Sequence, residues 1–350
     1  MDLCQDAGHG STMEDYKGNL RHALMRISVN HDFERRVGIW KAAYDEEGEL
    51  CCNQRYGDWP VHVSDNKEND IWENPEWMLL SYGKKMTASS YTEGKSPELA
   101  CNENVQNWWQ ASSSDRKEWL MMDLGKAMDV HAIQINFADD EINIPVPGQI
   151  RGTTQARYIE EADIATQYLL EGSVDGENFF VLEDKTKADT DLSHDFLVYE
   201  NGIEVRYIRL SDMKVPYGQK PCVSGLRVFG KGKGSLPEQV SYEVERISGI
   251  DMEIVIDSQE KDEADGATGY NILWGLKPDK LYHSYLTYDT KKRIGALVDG
   301  ESYYVRVDTF NENGITEGKT SVCRKICKIR KTGRKFMAIK AVTTDYALEQ

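Results

Sequence analysis

Trp108 and Trp109 are neighbours in this 350-residue chain. Adjacent residues of an extended segment face opposite ways, so one ring is expected inside and the other at the surface. A flat apolar ring covers the C–H face of a pyranose while polar neighbours take its hydroxyls, which makes Trp108 a candidate for ligand contact. Tyr217, in the proline- and glycine-rich loop VPYGQKP between two strand candidates, is a second. The long segment 139–168 adds Arg151, Arg157 and Tyr158; a loop of that length in a compact domain is usually functional or disordered. His9 stands between glycines in GHGS, and by residue type alone it is a histidine in a turn. Glu14 and Asp15 beside it read as turn and capping residues.

The elements that must position these residues are strands. Helical periodicity is scarce, and short segments rich in Val, Ile, Tyr and Phe recur between Gly, Asn and Asp, the pattern of all-β sandwiches or propellers. One set (EWLMMDL, HAIQINFA, QYLLEGS, NFFVLED, VRYIRLS, GLRVFG) lies between residues 118 and 230, punctuated by turn signals at Asp175-Gly176 and Asn201-Gly202. A second set (YEVERIS, MEIVID, GYNILWG, LYHSYLTY, RIGALV, YYVRVDTFN) follows the glycine- and lysine-rich stretch 231–238, which reads as an interdomain linker. The polar segment 64–76 reads as another boundary. Residues 1–63, 76–230 and 238–320 are therefore the expected units, and the first is too short to promise a core of its own.

Composition excludes several functions. Hydrophobic residues are 40% and charged residues 29%, ordinary for a globular chain. No apolar run approaches the roughly 20 residues of a membrane span, and the first 20 residues lack the apolar stretch of a signal peptide. The net charge of −17 argues against nucleic acid or an anionic membrane as partner. Residues 321–350 carry eight Lys/Arg against Asp345 and Glu349, net +6, which leaves −23 on residues 1–320. This basic tail is expected to be disordered. Seven cysteines are an odd number without C-x-x-C pairs, so neither a zinc site nor a full disulfide framework is expected.

Ordered motifs run through the central segment. Ala88-Ser89-Ser90-Tyr91 is followed by ACNENVQNWW at 100–109, Glu118-Trp119, Asp123-Leu124-Gly125, Glu171-Gly172-Ser173, Arg206-Tyr207-Ile208-Arg209-Leu210 and Val228-Phe229-Gly230. Over about 150 residues this segment resembles the discoidin, or coagulation factor type C, domain, close to the family-32 carbohydrate-binding modules. The resemblance implies an eight-stranded jelly-roll sandwich that binds ligand through loops at one end. It implies that Trp109 and Trp119 are buried, and leaves Trp108, Arg157, Tyr158 and Tyr217 as carbohydrate-binding candidates. It also implies a structural calcium in the loop 100–109, held in part by Asn102 and Asn107. Asn102 replaces the usual Asp, Asn107 the usual Thr, and Gly225 stands where a Glu commonly ligates, so affinity for calcium is expected to be weakened.

The third segment resembles a fibronectin type III module, an immunoglobulin-like sandwich. Gly269–Gly275, Leu281-Tyr282, Leu297, Gly300, Tyr303–Val307 and Phe310–Gly314 carry that resemblance, which implies a spacer. The first segment, through Gly8-His9-Gly10-Ser11, Asp15…Gly18-Asn19 and His22-Ala23, resembles the last part of the five-bladed propeller of glycoside hydrolase family 43. There the corresponding His lies near a bound ion, so His9 is a metal candidate by resemblance. Those enzymes invert with two carboxylates from upstream blades, and neither matches a residue here. The resulting expectation is a carbohydrate-binding accessory region of a polysaccharide-degrading glycoside hydrolase. Its partners would be plant or host glycans and the missing propeller blades of a secreted or periplasmic parent. A xylosidase or arabinofuranosidase completed by a catalytic part, and an adhesion or matrix-interaction protein, are the alternatives.

Overall fold

The structure, a computed structural model, describes residues 5–27, 36–57, 59–68, 70–140, 164–257 and 266–325. No α-helix occurs among the described residues, as the all-β expectation required. The chain forms two compact units. One holds Met1–Ala43 with Gly57–Lys233, the other Tyr44–Tyr56 with Gly234–Gln350.

The chain opens with an antiparallel sheet in sequence order: β1 (Gln5–Glu14), β2 (Leu20–Ile27), β3 (Arg36–Tyr44) and β4 (Leu50–Cys52). Asp15 closes the first turn, its Oδ1 accepting the Lys17 and Asn19 amides at 2.9 Å each, while Gly18 supplies the left-handed φ of +82°. Arg21 and Lys41 stand in line across β2 and β3 and are buried. Both pair with Glu68, at 2.5 and 3.0 Å. Lys17 Nζ donates to the Ser64 carbonyl at 2.7 Å, and the Glu68 amide donates to Asn19 Oδ1 at 2.8 Å. The polar composition of 64–68 thus reflects ion pairing along the first sheet. Just before it, Trp59 is buried with its ring edge-on to Phe229 at 6.2 Å.

The rest of this unit is the expected eight-stranded sandwich. Its strands are β5 (Met78–Leu79), β6 (Lys85–Ala88), β7 (Trp109–Gln110), β8 (Leu120–Phe137), β9 (Gln167–Ser173), β10 (Phe180–Asp184), β11 (His194–Lys214) and β12 (Cys222–Lys231). The hydrogen-bonded order is β10-β9-β11-β8-β12-β5, with β6 on β8 and β7 on β12. Leu120, Met122, Ile133, Ile135, Ile208, Leu210, Leu226 and Val228 alternate inward and share one core with Trp109 and Tyr168. The Asn201-Gly202 signal does not end a strand. The register slips between Val198 and Ile203, and Gly202 takes φ +71°, so the extra residues form a bulge inside β11. Gly125, at φ +84°, likewise lies within β8, where EWLMMDL and HAIQINFA merge into one strand.

The second unit pairs a sheet of β13 (Tyr242–Arg246), β14 (Met252–Ile256) and β17 (Lys291–Ile294) with one ordered β16-β15-β18-β19, β20 joining β18. These are β15 (Gly269–Gly275), β16 (His283–Thr287), β18 (Tyr303–Asn311), β19 (Gly314–Thr316) and β20 (Ser321–Cys323). Ile254, Ile272, Val305 and Val307 fill the core, and Tyr303 Oη accepts the Val298 amide at 3.0 Å to fix the preceding corner. The segment 44–56 belongs to this unit: Lys280 Nζ binds Asp45 at 2.6 Å, and Tyr56 packs edge-on to Phe310 at 6.2 Å.

Candidate functional site

One end of the first unit's sandwich gathers the residues of interest. β7 pairs with the start of β12 through Gln110↔Cys222 and Trp109↔Val223, and the Ala138 amide, just past β8, donates to the Cys222 carbonyl at 2.9 Å. The three chain segments at this end therefore lie side by side: Trp108–Gln110, Asp139–Asp140 and the loop 215–221. A fourth joins them where the Gln110 amide donates to the Lys95 carbonyl at 3.3 Å.

The adjacent tryptophans separate as strand alternation demands. Trp109 is 0% exposed and donates Nε1 to the Ser90 carbonyl at 3.0 Å. Trp108 is half-buried, and its Nε1 has no hydrogen-bond partner. Lys95 Nζ rests 3.6 Å from the centre of the Trp108 ring, a cation–π contact. Asp140 lies 3.9 Å from the same ammonium and accepts Gln110 Nε2 at 2.5 Å. Gln219 bridges onward, its Nε2 donating to Asp139 at 3.0 Å and its Oε1 accepting the Asp140 amide at 3.4 Å. Tyr217, two residues before Gln219, holds a left-handed φ of 60°, which costs a non-glycine residue about 1–3 kcal/mol and persists only where the surroundings impose it. The result is an aromatic face edged by amides, carboxylates and one ammonium. Such a surface can stack on an apolar ring face and trade hydrogen bonds with hydroxyls.

Of the expected site residues, Trp108 and Tyr217 stand on loops of this end. Arg157 and Tyr158, with Arg151, lie outside the described residues. Lys95, Gln110, Asp139, Asp140 and Gln219 were not singled out by sequence. Asp139 and Asp140 had a signal, since they open the long segment 139–168 directly after an apolar strand. Cys222, beneath the site, has its thiol pushed up to about 12 by burial, so it is an inert packing residue.

Trp119 corrects an expectation. It is only half-buried, as Trp108 is, because Glu118 and Leu120 on either side of it turn inward. The buried Glu118 carboxylate accepts Ser89 Oγ, and Ser90 Oγ and Ser113 Oγ at 2.7 Å each. It thereby holds the Ser90 loop that receives the Trp109 indole. Burial alone would raise the Glu118 pKa, but the three serine hydrogen bonds together outweigh it and hold the carboxyl below its ordinary range. A depressed folded-state pKa gives stability that is complete above the unfolded value of about 4.3 and lost as pH falls through the folded one. Acid melts of wild type and Glu118→Gln should therefore converge as pH drops, with a steeper loss in wild type. Parallel curves would remove Glu118 from the acid response.

The metal candidates are not assembled into a site. Asn102 Nδ2 donates to Asn107 Oδ1 at 3.0 Å, and Asn102 Oδ1 accepts the Asn104 amide at 3.0 Å, so both side-chain oxygens are engaged. Glu103, the carboxylate between them, is buried against Arg227. At Gly225 an added Cβ would lie 2.9 Å from Asn136 Nδ2, so a side chain there would have to displace that amide. Calcium needs six to eight oxygens, and these residues do not fit it. His9 lies in β1 with its side chain outside the described residues, and no cluster of three metal-binding side chains occurs among those described.

The F5/8 type C domain family matches residues 85–146, of which 85–140 lie within the sandwich. Among curated protein sequences none matches this chain. Solved structures that resemble it include chitosan-binding module 1 of a chitosanase/glucanase from Paenibacillus sp. IK-5, at 18% identity over 44% of this chain and 99% of that one, TM-score 0.33. The family 32 carbohydrate-binding module of Clostridium perfringens NanJ, in complex with galactose, is 16% identical over 44% of this chain and 98% of that one, TM-score 0.34. The family 89 glycoside hydrolase of Clostridium perfringens aligns at 23% identity over 47% of this chain and 16% of that one, TM-score 0.34.

Proposed function

We propose that the sandwich of residues 76–230 is a carbohydrate-binding module that seats a glycan at its Trp108 end, as an accessory region of a polysaccharide-degrading glycoside hydrolase. The observation that carries this reading is the half-buried Trp108 ring beneath the Lys95 ammonium, edged by Gln110, Asp140 and Gln219. The F5/8 type C match over 85–146 supports it. A four-stranded antiparallel sheet in chain order is the form of one propeller blade, which favours a family-43-like parent for the first segment. The pairing of β13-β14-β17 with β16-β15-β18 supports a fibronectin type III-like spacer for the second unit.

Binding is expected to be weak. A monosaccharide covers little apolar area, and a sugar stacked on the Lys95 face of Trp108 must displace that ammonium. A single aromatic platform contributes about 0.5–1.5 kcal/mol beyond its buried area, so Trp108→Ala should weaken affinity up to about tenfold with the melting temperature preserved. Calorimetric titration with galactose, GlcNAc-α-1,4-galactose and chitotriose, ligands named for the solved neighbours, measures it. Silence of the wild type toward every glycan at millimolar concentration would defeat the carbohydrate reading. Turnover of aryl xylosides or arabinofuranosides by the pure chain would replace it with an enzyme.

A further inference from the structure

A buried ion pair joins the loop 97–108 to the last strand of its sandwich. Arg227, on β12, is 1% exposed, and Glu103, in the loop, is 5% exposed. The guanidinium grips the carboxylate with both prongs, Nε to Oε1 at 3.0 Å and Nη2 to Oε2 at 2.9 Å, and its Nη1 donates to Gln134 Oε1 on β8 at 2.5 Å. The Phe229 ring lies 4.9 Å from the guanidinium carbon and adds a cation–π contact. Glu103 is held at a left-handed φ of 58°, a backbone that a non-glycine residue keeps only when its side chain is firmly placed. On either side of it, Asn102 Nδ2 donates a hydrogen bond to Asn107 Oδ1 at 3.0 Å and closes the loop on itself.

A buried carboxylate must be neutralised and hydrogen-bonded, or it carries a large desolvation penalty. A divalent cation is one solution, and a fixed guanidinium is another. Arg227 occupies the second role in full: it brings the positive charge, and it brings donors in the planar fork that matches a carboxylate. Calcium brought to Glu103 would meet an arginine already hydrogen-bonded to both oxygens, and asparagine oxygens already spent within the loop.

We infer that the Arg227 guanidinium is the internal cation of this sandwich, organising the loop 97–108 that leads into Trp108, so that the domain folds and holds its binding end without calcium. The inference concerns the fold of the loop and stands whether or not a glycan is the ligand.

Thermal melts of the full chain in EDTA and in about 5 mM calcium, several-fold above the ~10⁻⁴–10⁻³ M dissociation constants of weak extracellular calcium sites, test it directly. The expected result is coincident melts, within about 1 °C. A larger rise with calcium overturns the proposal, and it needs no variant that must fold. Arg227→Met and Glu103→Gln should each lower the melting temperature by about 6–20 °C, because each strands a buried partner. The double variant should lose clearly less than the two singles combined, since neither group is then left alone. Additive losses would show that the pair is not a unit and would also overturn it.

Discussion

Replacing Trp109 by alanine is expected to destabilise the first unit by about 3–5 kcal/mol, the range for truncating a fully buried aromatic. The ring is 0% exposed, packs in the same core as Leu120, Ile135 and Val223, and donates its indole N–H to the Ser90 carbonyl. Truncation opens a cavity that a close-packed sandwich refills only in part, and it leaves the part-buried Ser90 carbonyl without this donor. Trp109→Phe separates these effects. It keeps most of the volume and loses the hydrogen bond, so it should cost no more than about half as much. Chemical denaturation of both variants decides between them. If Trp109→Ala leaves stability unchanged and abolishes glycan binding instead, the faces of the two neighbouring tryptophans are reversed.

That opposition between Trp108 and Trp109 was legible in the sequence, because strand alternation is a local rule. The same rule places Leu120, Met122 and Leu124 inside the sandwich. It also turns Trp119 away from Leu120, against the burial that the resemblance implied, and makes Glu118 the inward residue, its hydrogen bonds supplied by nearby Ser113 and by Ser89 and Ser90, 29 and 28 positions away. The turn signal at Asn201-Gly202 misled because a left-handed glycine serves a bulge as well as a hairpin, and only strand pairing distinguishes the two. The polar rim of Trp108 was hidden for a stronger reason. Lys95, Gln110, Asp140 and Gln219 come from separate segments, and nothing local to any of them foretells that β7, β8 and β12 end together. The calcium expectation rested on the family resemblance of the loop 100–109 and of Gly225, whereas the group that answers Glu103 is an arginine 124 positions away.

Tyr56→Ala is expected to destabilise the second unit by about 3–5 kcal/mol, although Tyr56 lies in the first 63 residues, from which little stability was expected. Tyr56 is 8% exposed and meets Phe310 edge-on, at 6.2 Å between ring centres and 79° between planes. Tyr288 approaches Phe310 in the same manner at 5.9 Å, so Phe310 stands between two aromatic edges and loses one in the variant. Phe310, 1% exposed, is the penultimate residue of the central strand β18, so the loss falls on a buried aromatic contact of that strand. The turn of the same segment is fastened by charge: Asp45 accepts Lys280 Nζ and, at 3.0 Å, Tyr282 Oη, while Glu47 takes Lys277 at 2.5 Å. The hydrogen bond from Lys280 holds the Asp45 carboxyl well below its usual range. Glu47 and Glu49, which share Lys280 with Asp45, are more than half exposed, so salt screens part of this network and Lys280→Ala should matter less than the aromatic truncation. Hydrogen exchange of the β18 amides reads the difference: protection should fall markedly in Tyr56→Ala and only slightly in Lys280→Ala. Full protection in Tyr56→Ala would mean that residues 44–56 rest on this sandwich without contributing to its core, and their deletion would then be harmless.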